Sequence, residues 1–218
     1  WNGKGVKKVQ GRGAADGGVL FGKGGHGAVP QESIDPIVIT CQIVNSLQTI
    51  VSRKINPLDP VVITCGRIQG GDCHNVIPNE VELEGTIRTF NEETRNWVPK
   101  VMEDLIRGIT ISQGATYEFK YEPKYPALIN DKYMTSFAKE SLKKVVGEEN
   151  VFDLKEPNMG GEDFAYFAQK VPSAFIFVGI ANNKSEPVIH HNPYFKWDSK
   201  NVGILAQSLS QIAIDYLK

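Results

Sequence analysis

Apolar and polar side chains alternate over residues 80–90, and this stretch constrains the fold more than any other part of the sequence. Val81, Leu83 and Ile87 fall on one side of the predicted strand, and Arg88 falls on the polar side. A strand with one apolar and one polar side is typical of an antiparallel sheet that carries helices on one face only. The alternation therefore predicts a sheet with one buried face and one solvent-exposed face.

Helices and further strands flank this strand in the order β-α-β-β-α-β. A helix is predicted over residues 33–53, with Ser33 as its N-cap, and a second helix over residues 91–109. This order predicts a ferredoxin-like domain over residues 19–122, a four-stranded antiparallel sheet with two helices on one face. Residues 1–18 contain six glycines, so we expect an irregular N-terminal segment there. The other strands are predicted at Val19–Phe21, Val61–Ile68 and Ala115–Tyr121.

Residues 123–218 have a different pattern, and prolines at the junction mark a domain boundary. Helices are predicted over residues 132–146 and 200–217, with another that begins near Gly161. The stretch from Ala174 to Gly179 is wholly apolar, which is typical of a strand buried on both faces, and a short strand is predicted over residues 151–154. Two strands are too few to form the sheet of a complete α/β domain, so we expect these residues to be the C-terminal part of one.

Charge and composition exclude several classes of protein. The 24 basic residues are balanced by 25 acidic ones, which gives no reason to expect a nucleic-acid partner. No apolar run approaches the roughly 18 residues of a membrane helix, so no membrane partner is expected. The three cysteines include no CxxC pair, which favours a reducing, cytoplasmic compartment over a disulfide framework. Cys41 and Cys65 lie in apolar runs and are predicted to be small buried side chains.

Three polar residues of the first domain are candidates for a binding or catalytic site. His26 lies in a glycine-rich loop and could polarise a carbonyl oxygen, or it could be an ordinary turn histidine. Arg88 could bind a carboxylate through two parallel hydrogen bonds, or it could be a solvated charge on the strand face. Asn75 is a turn residue on the simpler interpretation.

Two further candidates lie in the second domain. Glu162 follows Gly161 at the predicted start of a helix, where an acid either stabilises the helix dipole or faces a cleft. His191 follows the predicted apolar strand, where the ligands of α/β proteins gather, or it is a surface imidazole.

Seven short motifs in this order resemble the M20 metallopeptidases, and in particular their amidohydrolase branch. That branch includes hydrolases of hippurate, of N-acyl amino acids and of auxin conjugates. The resemblance extends over about residues 22–218. The motifs lie at Gly22–Pro30, Asp35-Pro36, Leu47–Arg53, Asn75–Pro78, Gly85–Phe90, Gly160–Phe164 and His191–Phe195.

The resemblance implies an activity and a set of roles. Members hydrolyse an amide between an acyl group and an amino acid, using two divalent metal ions (zinc, manganese, cobalt or nickel) and a glutamate as general base. By resemblance, His191 is a metal ligand, and Gly161 and Glu162 line the substrate site. His26, Asn75 and Arg88 reach a substrate, in the partner subunit's site, as an oxyanion donor and a carboxylate clamp. The ferredoxin-like part is then a lid that forms a homodimer.

The sequence also departs from the family. An HxCGHD-type motif, the Glu-Glu pair and a further histidine, which supply most metal ligands and the general base, are missing, and Gln31 stands where many members have His. A lone imidazole cannot hold two metal ions. Two interpretations follow. The chain is the C-terminal portion of a longer enzyme and inactive alone, or it is a non-catalytic, lid-like dimerisation or ligand-binding module.

Overall fold

A computed structural model describes residues 9–10, 12–180, 192–195 and 199–218. Short 3-10 turns at Pro30–Glu32 and Glu148–Asn150 and a π-helical turn at Ile50–Lys54 join the longer elements. In chain order, the strands and helices are β1 (Val9–Gln10), β2 (Arg12–Phe21), β3 (Gly25–His26), α1 (Pro36–Thr49), β4 (Val61–Gln69), β5 (Val76–Ile77), β6 (Glu80–Thr89), α2 (Glu92–Ser112), β7 (Thr116–Pro123), β8 (Leu128–Ile129), α3 (Lys132–Val146), α4 (Phe164–Ala168) and α5 (Lys200–Tyr216).

The main sheet has four strands in the order β4-β6-β2-β7, and each neighbouring pair is antiparallel. Strand β6, the predicted alternating strand, is internal, and β4 lies at one edge. Along the chain, the elements follow one another as β2-α1-β4-β6-α2-β7, which is the predicted order. None of the helices in the described ranges is both long and apolar enough to cross a lipid bilayer.

Strand β2 begins at Arg12, so the prediction of an irregular segment is wrong for residues 12–18. The glycines that argued against a strand are compatible with one, because Gly18 lies very close to the neighbouring strand β7. A Cβ atom on Gly18 would lie 2.6 Å from the carbonyl oxygen of Glu118 in β7. Glycine thus permits a close approach of two backbones in the sheet.

The N-cap of helix α1 lies two residues later than predicted. Asp35, not Ser33, is its N-cap, and the Asp35 Oδ1 atom accepts hydrogen bonds from the backbone N–H groups of Ile37 (2.9 Å) and Val38 (3.4 Å). The backbone of Ser33 instead ends the preceding turn, since its N–H donates to the carbonyl of Pro30 at 3.0 Å.

Both long helices of this part pack on the same face of the sheet. The core joins side chains of α1, α2 and the strands, and the alternating residues of β6 enter it as predicted. Cys65 packs against this core, whereas Cys41 is exposed on α1, so the prediction that both are buried is wrong for Cys41. The core contains Leu20, Ile39, Ile43, Leu47, Ile50, Val61, Ile63, Ile87, Val98, Met102, Ile106 and Ala115.

The chain forms two compact units. One contains Val9–Leu128 together with Pro157–Tyr166, and the other contains Ile129–Glu156 and Phe167–Lys218. In the second unit, α3 packs against α5. The strands predicted over 151–154 and 174–179 do not form in this part of the described chain, because no neighbouring strand lies beside them to complete a sheet. The side chain of Asn130 holds the second stretch instead, by donating to the Phe175 carbonyl (2.9 Å) and accepting from its N–H (2.8 Å).

Candidate functional site

His26 and Asn75 lie next to each other, although 49 positions separate them in the sequence. Strand β3 pairs with β5, so that His26 lies opposite Val76. The next residue, Gly27, donates its N–H to the carbonyl of Asn75 at 2.8 Å. A Cβ atom on Gly27 would lie 3.0 Å from that same oxygen, and glycine therefore permits this close approach.

Local hydrogen bonds orient both side chains of this pair. The Nδ1 atom of His26 accepts from the N–H of Ala28 at 3.1 Å, which places the proton of a neutral imidazole on Nε2. The Oδ1 atom of Asn75 accepts from the thiol of Cys73 at 3.0 Å, which leaves the two amide N–H groups of Asn75 as donors. Both side chains are exposed. The pair therefore presents N–H donors at an exposed surface, where an oxygen atom of a ligand can accept from them.

Arg88 lies at the other end of the sheet. Eight positions along β6 separate it from Glu80, a length of about 27 Å at the usual rise of a strand. His26 and Asn75 lie beyond the Glu80 end, on the β3-β5 pair that precedes β6 in the chain. Within one chain, Arg88 and the His26–Asn75 pair are consequently too far apart to contact the same small substrate.

Arg88 instead lies beside Gly161. A Cβ atom on Gly161 would be 2.7 Å from Nη1 of Arg88 and 3.1 Å from Cδ2 of Tyr125. The guanidinium forms no ion pair with any residue in the described part of the chain, and the side chain is partly buried. A partly buried guanidinium that has no acidic partner among the described residues is suited to an anionic ligand.

Glu162 follows Gly161 and accepts a hydrogen bond from the N–H of Phe164 at 3.4 Å. This contact places the Glu162 carboxylate at the start of the short helix α4, where a negative charge is favourable. Ala165 is buried, and the residues of α4 up to Tyr166 belong to the unit that contains the sheet. Gly161, Glu162 and Arg88 thus form a second group of predicted residues, separate from His26 and Asn75.

The described residues do not by themselves fit a metal centre. Over the described ranges, no group of three or more His, Cys, Asp or Glu side chains is arranged to hold a metal ion. The predicted ligand His191 lies outside the described residues. A site for two metal ions needs more donors than the described ranges bring together.

Sequence reasoning missed Cys73 and Tyr125. Cys73 lies two positions before Asn75, but only the structure reveals that its thiol contacts the Asn75 amide. Tyr125 belongs to the proline-rich stretch that we interpreted only as a domain boundary. An aromatic residue between two prolines of a connecting segment was the available signal in the sequence.

Comparison with known proteins gives the family of the chain. The model of peptidase family M20/M25/M40 matches residues 4–214. The N-acetylcysteine deacetylase of Bacillus subtilis is 38% identical over 200 residues, which cover 92% of this chain and 51% of that protein. The Arabidopsis thaliana IAA-amino acid hydrolase ILR1-like 4 is 37% identical over 203 residues, with 91% and 46% covered.

A solved structure shares the fold. The YxeP protein of Bacillus subtilis, described as a dinuclear metal-binding peptidase of the M20 family, superposes with a TM-score of 0.69 at 31% identity. The match covers 98% of this chain and 52% of that chain. The present chain spans about half the length of the curated relatives it matches.

Proposed function

Because the chain belongs to peptidase family M20/M25/M40, we propose that it forms the lid and the C-terminal catalytic part of a metal-dependent amidohydrolase. The reaction is hydrolysis of the amide bond of N-acyl amino acids or related small amides. The observation that carries this proposal is the contact of Arg88 with Gly161, which joins two motifs that lie 73 positions apart in the sequence.

The lid in this proposal is the ferredoxin-like unit of β2, α1, β4, β6, α2 and β7. Its strand order, β4-β6-β2-β7, supports the assignment, since this is the order in which a β-α-β-β-α-β chain forms a single antiparallel sheet. The remaining residues, from about 123 to 218, contribute to the catalytic domain.

Arg88 binds the carboxylate of the substrate's amino-acid part. A guanidinium can donate two parallel hydrogen bonds to a carboxylate, and Arg88 has no competing ion pair within the described residues. Gly161 and Glu162 line the same site, where glycine leaves space for the guanidinium.

His26 and Asn75 stabilise the oxyanion that develops when water attacks the amide carbonyl. Their N–H donors are oriented by the hydrogen bonds from Ala28 and Cys73, so little reorganisation is needed when the charge appears. Donors of this kind contribute on the order of 3 kcal/mol to lowering the barrier.

The two groups meet in a homodimer. Since Arg88 and the His26–Asn75 pair lie at opposite ends of β6, one copy supplies the carboxylate clamp and the other supplies the oxyanion donors. We assign the dimer contact to the outer side of β4, which is an edge strand of the sheet in the described part of the chain.

In this proposal, residues outside the described ranges supply most of the ligands of the two divalent ions, and they also supply the general base. His191 is the ligand that we assign from this chain. The described residues do not form a metal site, so their own contribution is to bind, orient and stabilise the substrate.

The experiment is a hydrolysis assay on the protein expressed from its complete coding sequence. N-acetyl and N-benzoyl amino acids are supplied with Mn²⁺ or Zn²⁺, and activity is expected to disappear with a chelator and return with metal. Arg88→Ala should lower kcat/KM by more than tenfold, or about 1.4 kcal/mol. Arg107→Ala is the matched control, since Arg107 is exposed on α2 and pairs only with Asp104 among the described residues.

Two results would contradict the proposal. If Arg88→Ala reduces kcat/KM no more than Arg107→Ala does, the carboxylate-binding role of Arg88 is contradicted. A complete protein that hydrolyses none of these amides with any of the metals, yet forms a dimer, would favour the non-catalytic binding module.

A further inference from the structure

Two tyrosine rings lie close to the proposed carboxylate clamp. Tyr125 follows β7 and Tyr166 lies in α4, and both belong to the same compact unit as Arg88. The ring centroids are 6.1 Å apart and the ring planes meet at 68°, an edge-to-face contact. Tyr125 is 36% exposed and Tyr166 is 49% exposed. A partly exposed aromatic pair beside a charged binding group is a surface that a ligand can cover.

Gly161 brings the arginine and the first ring together. A Cβ atom at this position would lie 2.7 Å from Arg88 Nη1 and 3.1 Å from Tyr125 Cδ2. Because both distances start from one point, the guanidinium nitrogen and the ring atom lie within about 6 Å of each other. A ligand of amino-acid size can therefore contact both groups at once.

The residues next to the two tyrosines are constrained by the fold. Arg95 of α2 donates through Nη2 to the carbonyl of Lys124 at 2.9 Å, which fixes the backbone directly before Tyr125. Ala165, the neighbour of Tyr166, is fully buried. A surface that is rigid before the ligand arrives costs less entropy on binding.

We propose that Tyr125 and Tyr166 form an aromatic wall that selects substrates whose amino-acid part has an aromatic side chain. The inference rests on the proposed function, because Arg88 must hold the α-carboxylate for the wall to contact the side chain. In an aromatic amino acid, only Cα and Cβ separate the carboxylate from the ring, so a ligand held by Arg88 extends its ring toward the tyrosines. An alanine side chain is too short to reach them.

The test compares the binding of two metal-independent probes to the full chain. N-acetyl-L-phenylalanine and N-acetyl-L-alanine are titrated separately, and binding is followed by NMR. The wall predicts that the phenylalanine derivative binds at least tenfold more tightly. Tyr166→Ala should reduce this preference by about fivefold or more and leave the affinity for the alanine derivative unchanged.

Two variants control for loss of structure. Tyr166→Phe keeps the ring, and it should keep the preference. Tyr133→Ala removes a 71% exposed tyrosine from α3 in the other unit and should change neither affinity. If Tyr166→Ala keeps the preference for the phenylalanine derivative, the proposal of an aromatic wall is contradicted. An equal loss of affinity for both probes would contradict it as well.

Arg88→Ala separates this inference from the proposed function. If both hold, Arg88→Ala weakens both probes by about tenfold or more. If Arg88→Ala weakens both probes but Tyr166→Ala leaves the preference unchanged, the carboxylate clamp stands and the aromatic wall fails. If Arg88→Ala leaves both affinities intact, the clamp fails, and the wall that depends on it fails as well. Failure of both probes to bind the wild-type chain would overturn the wall.

Discussion

Replacing Gly161 with alanine is expected to damage ligand binding without damaging the fold. The added Cβ atom would lie 2.7 Å from Nη1 of Arg88, whereas ordinary contacts begin at 3.4 Å. The guanidinium must therefore move by about 0.7 Å. The backbone at Gly161 does not have a positive φ, so alanine adopts it without strain.

Gly161→Ala should affect the free energy of unfolding less than the free energy of ligand binding. The Nη1 atom is the end of a flexible side chain, so its displacement should change the free energy of unfolding by less than about 1 kcal/mol. The displacement of Nη1 breaks one of the two parallel hydrogen bonds to a carboxylate, and a hydrogen bond to a charged group is worth about 1.5–3 kcal/mol. We therefore expect the affinity for N-acetyl-L-phenylalanine to fall by between about tenfold and a hundredfold.

The assay is an NMR titration of the full chain, combined with urea unfolding of the same variants. Gly108→Ala is the matched control, because a Cβ atom on Gly108 meets nothing within 4 Å and the residue lies inside α2. That control should bind normally and gain about 0.5–1 kcal/mol of stability. In an Arg88→Ala background, Gly161→Ala should cause no further loss of affinity. Wild-type affinity in Gly161→Ala alone would refute the reasoning.

Two further predictions concern stability. Gly85→Ala should destabilise the protein by about 1–3 kcal/mol in urea unfolding, because its Cβ atom would lie 2.5 Å from the Thr64 carbonyl oxygen in β4. Gly66→Ala is the control and should not destabilise the protein, because a Cβ atom there meets nothing within 4 Å. Equal losses of stability in the two variants would contradict the packing argument. Asp215 of α5 accepts a hydrogen bond from Lys144 of α3 at 2.8 Å, and this bond, with a smaller contribution from Ser141, holds the pKa of Asp215 below its ordinary value of 3.8. The pair therefore stabilises the fold above pH 3.8 and loses this effect as the pH falls through the lowered pKa. Asp215→Asn should lower the thermal midpoint at pH 7 and approach the wild type in acid; a constant difference at every pH would contradict this assignment.

The elements with strong periodicity were predictable from sequence. Helix α3 spans Lys132–Val146 as predicted, and β6 ends one residue earlier than predicted. In each element, apolar residues recur with the period of one type of secondary structure over ten or more residues. The secondary structure that the local sequence favours is therefore also the one that buries the apolar side chains. Strand β2 was recognised only at its apolar end, because its glycines are explained by contacts with β7 that no local pattern reveals.

The candidate site could be predicted residue by residue, but its division into two groups could not. Arg88 contacts Gly161 from 73 positions away, and this proximity arises only when the chain folds. The distance from Arg88 to His26 and Asn75 likewise follows from the length of β6 rather than from any motif. The apolar stretch 174–179 was predicted as a strand from composition, but pairing partners decide whether a strand forms.

Mixing two inactive variants tests the central claim most directly. Asn75→Ala removes an oxyanion donor and Arg88→Ala removes the clamp, and each is made in the protein expressed from its complete coding sequence. If the site takes these groups from different copies, a mixed dimer contains one site with both groups intact. After the subunits are unfolded and reassociated together, the account predicts recovery of about a quarter of the wild-type rate of amide hydrolysis. A mixture no more active than either variant alone would contradict the account.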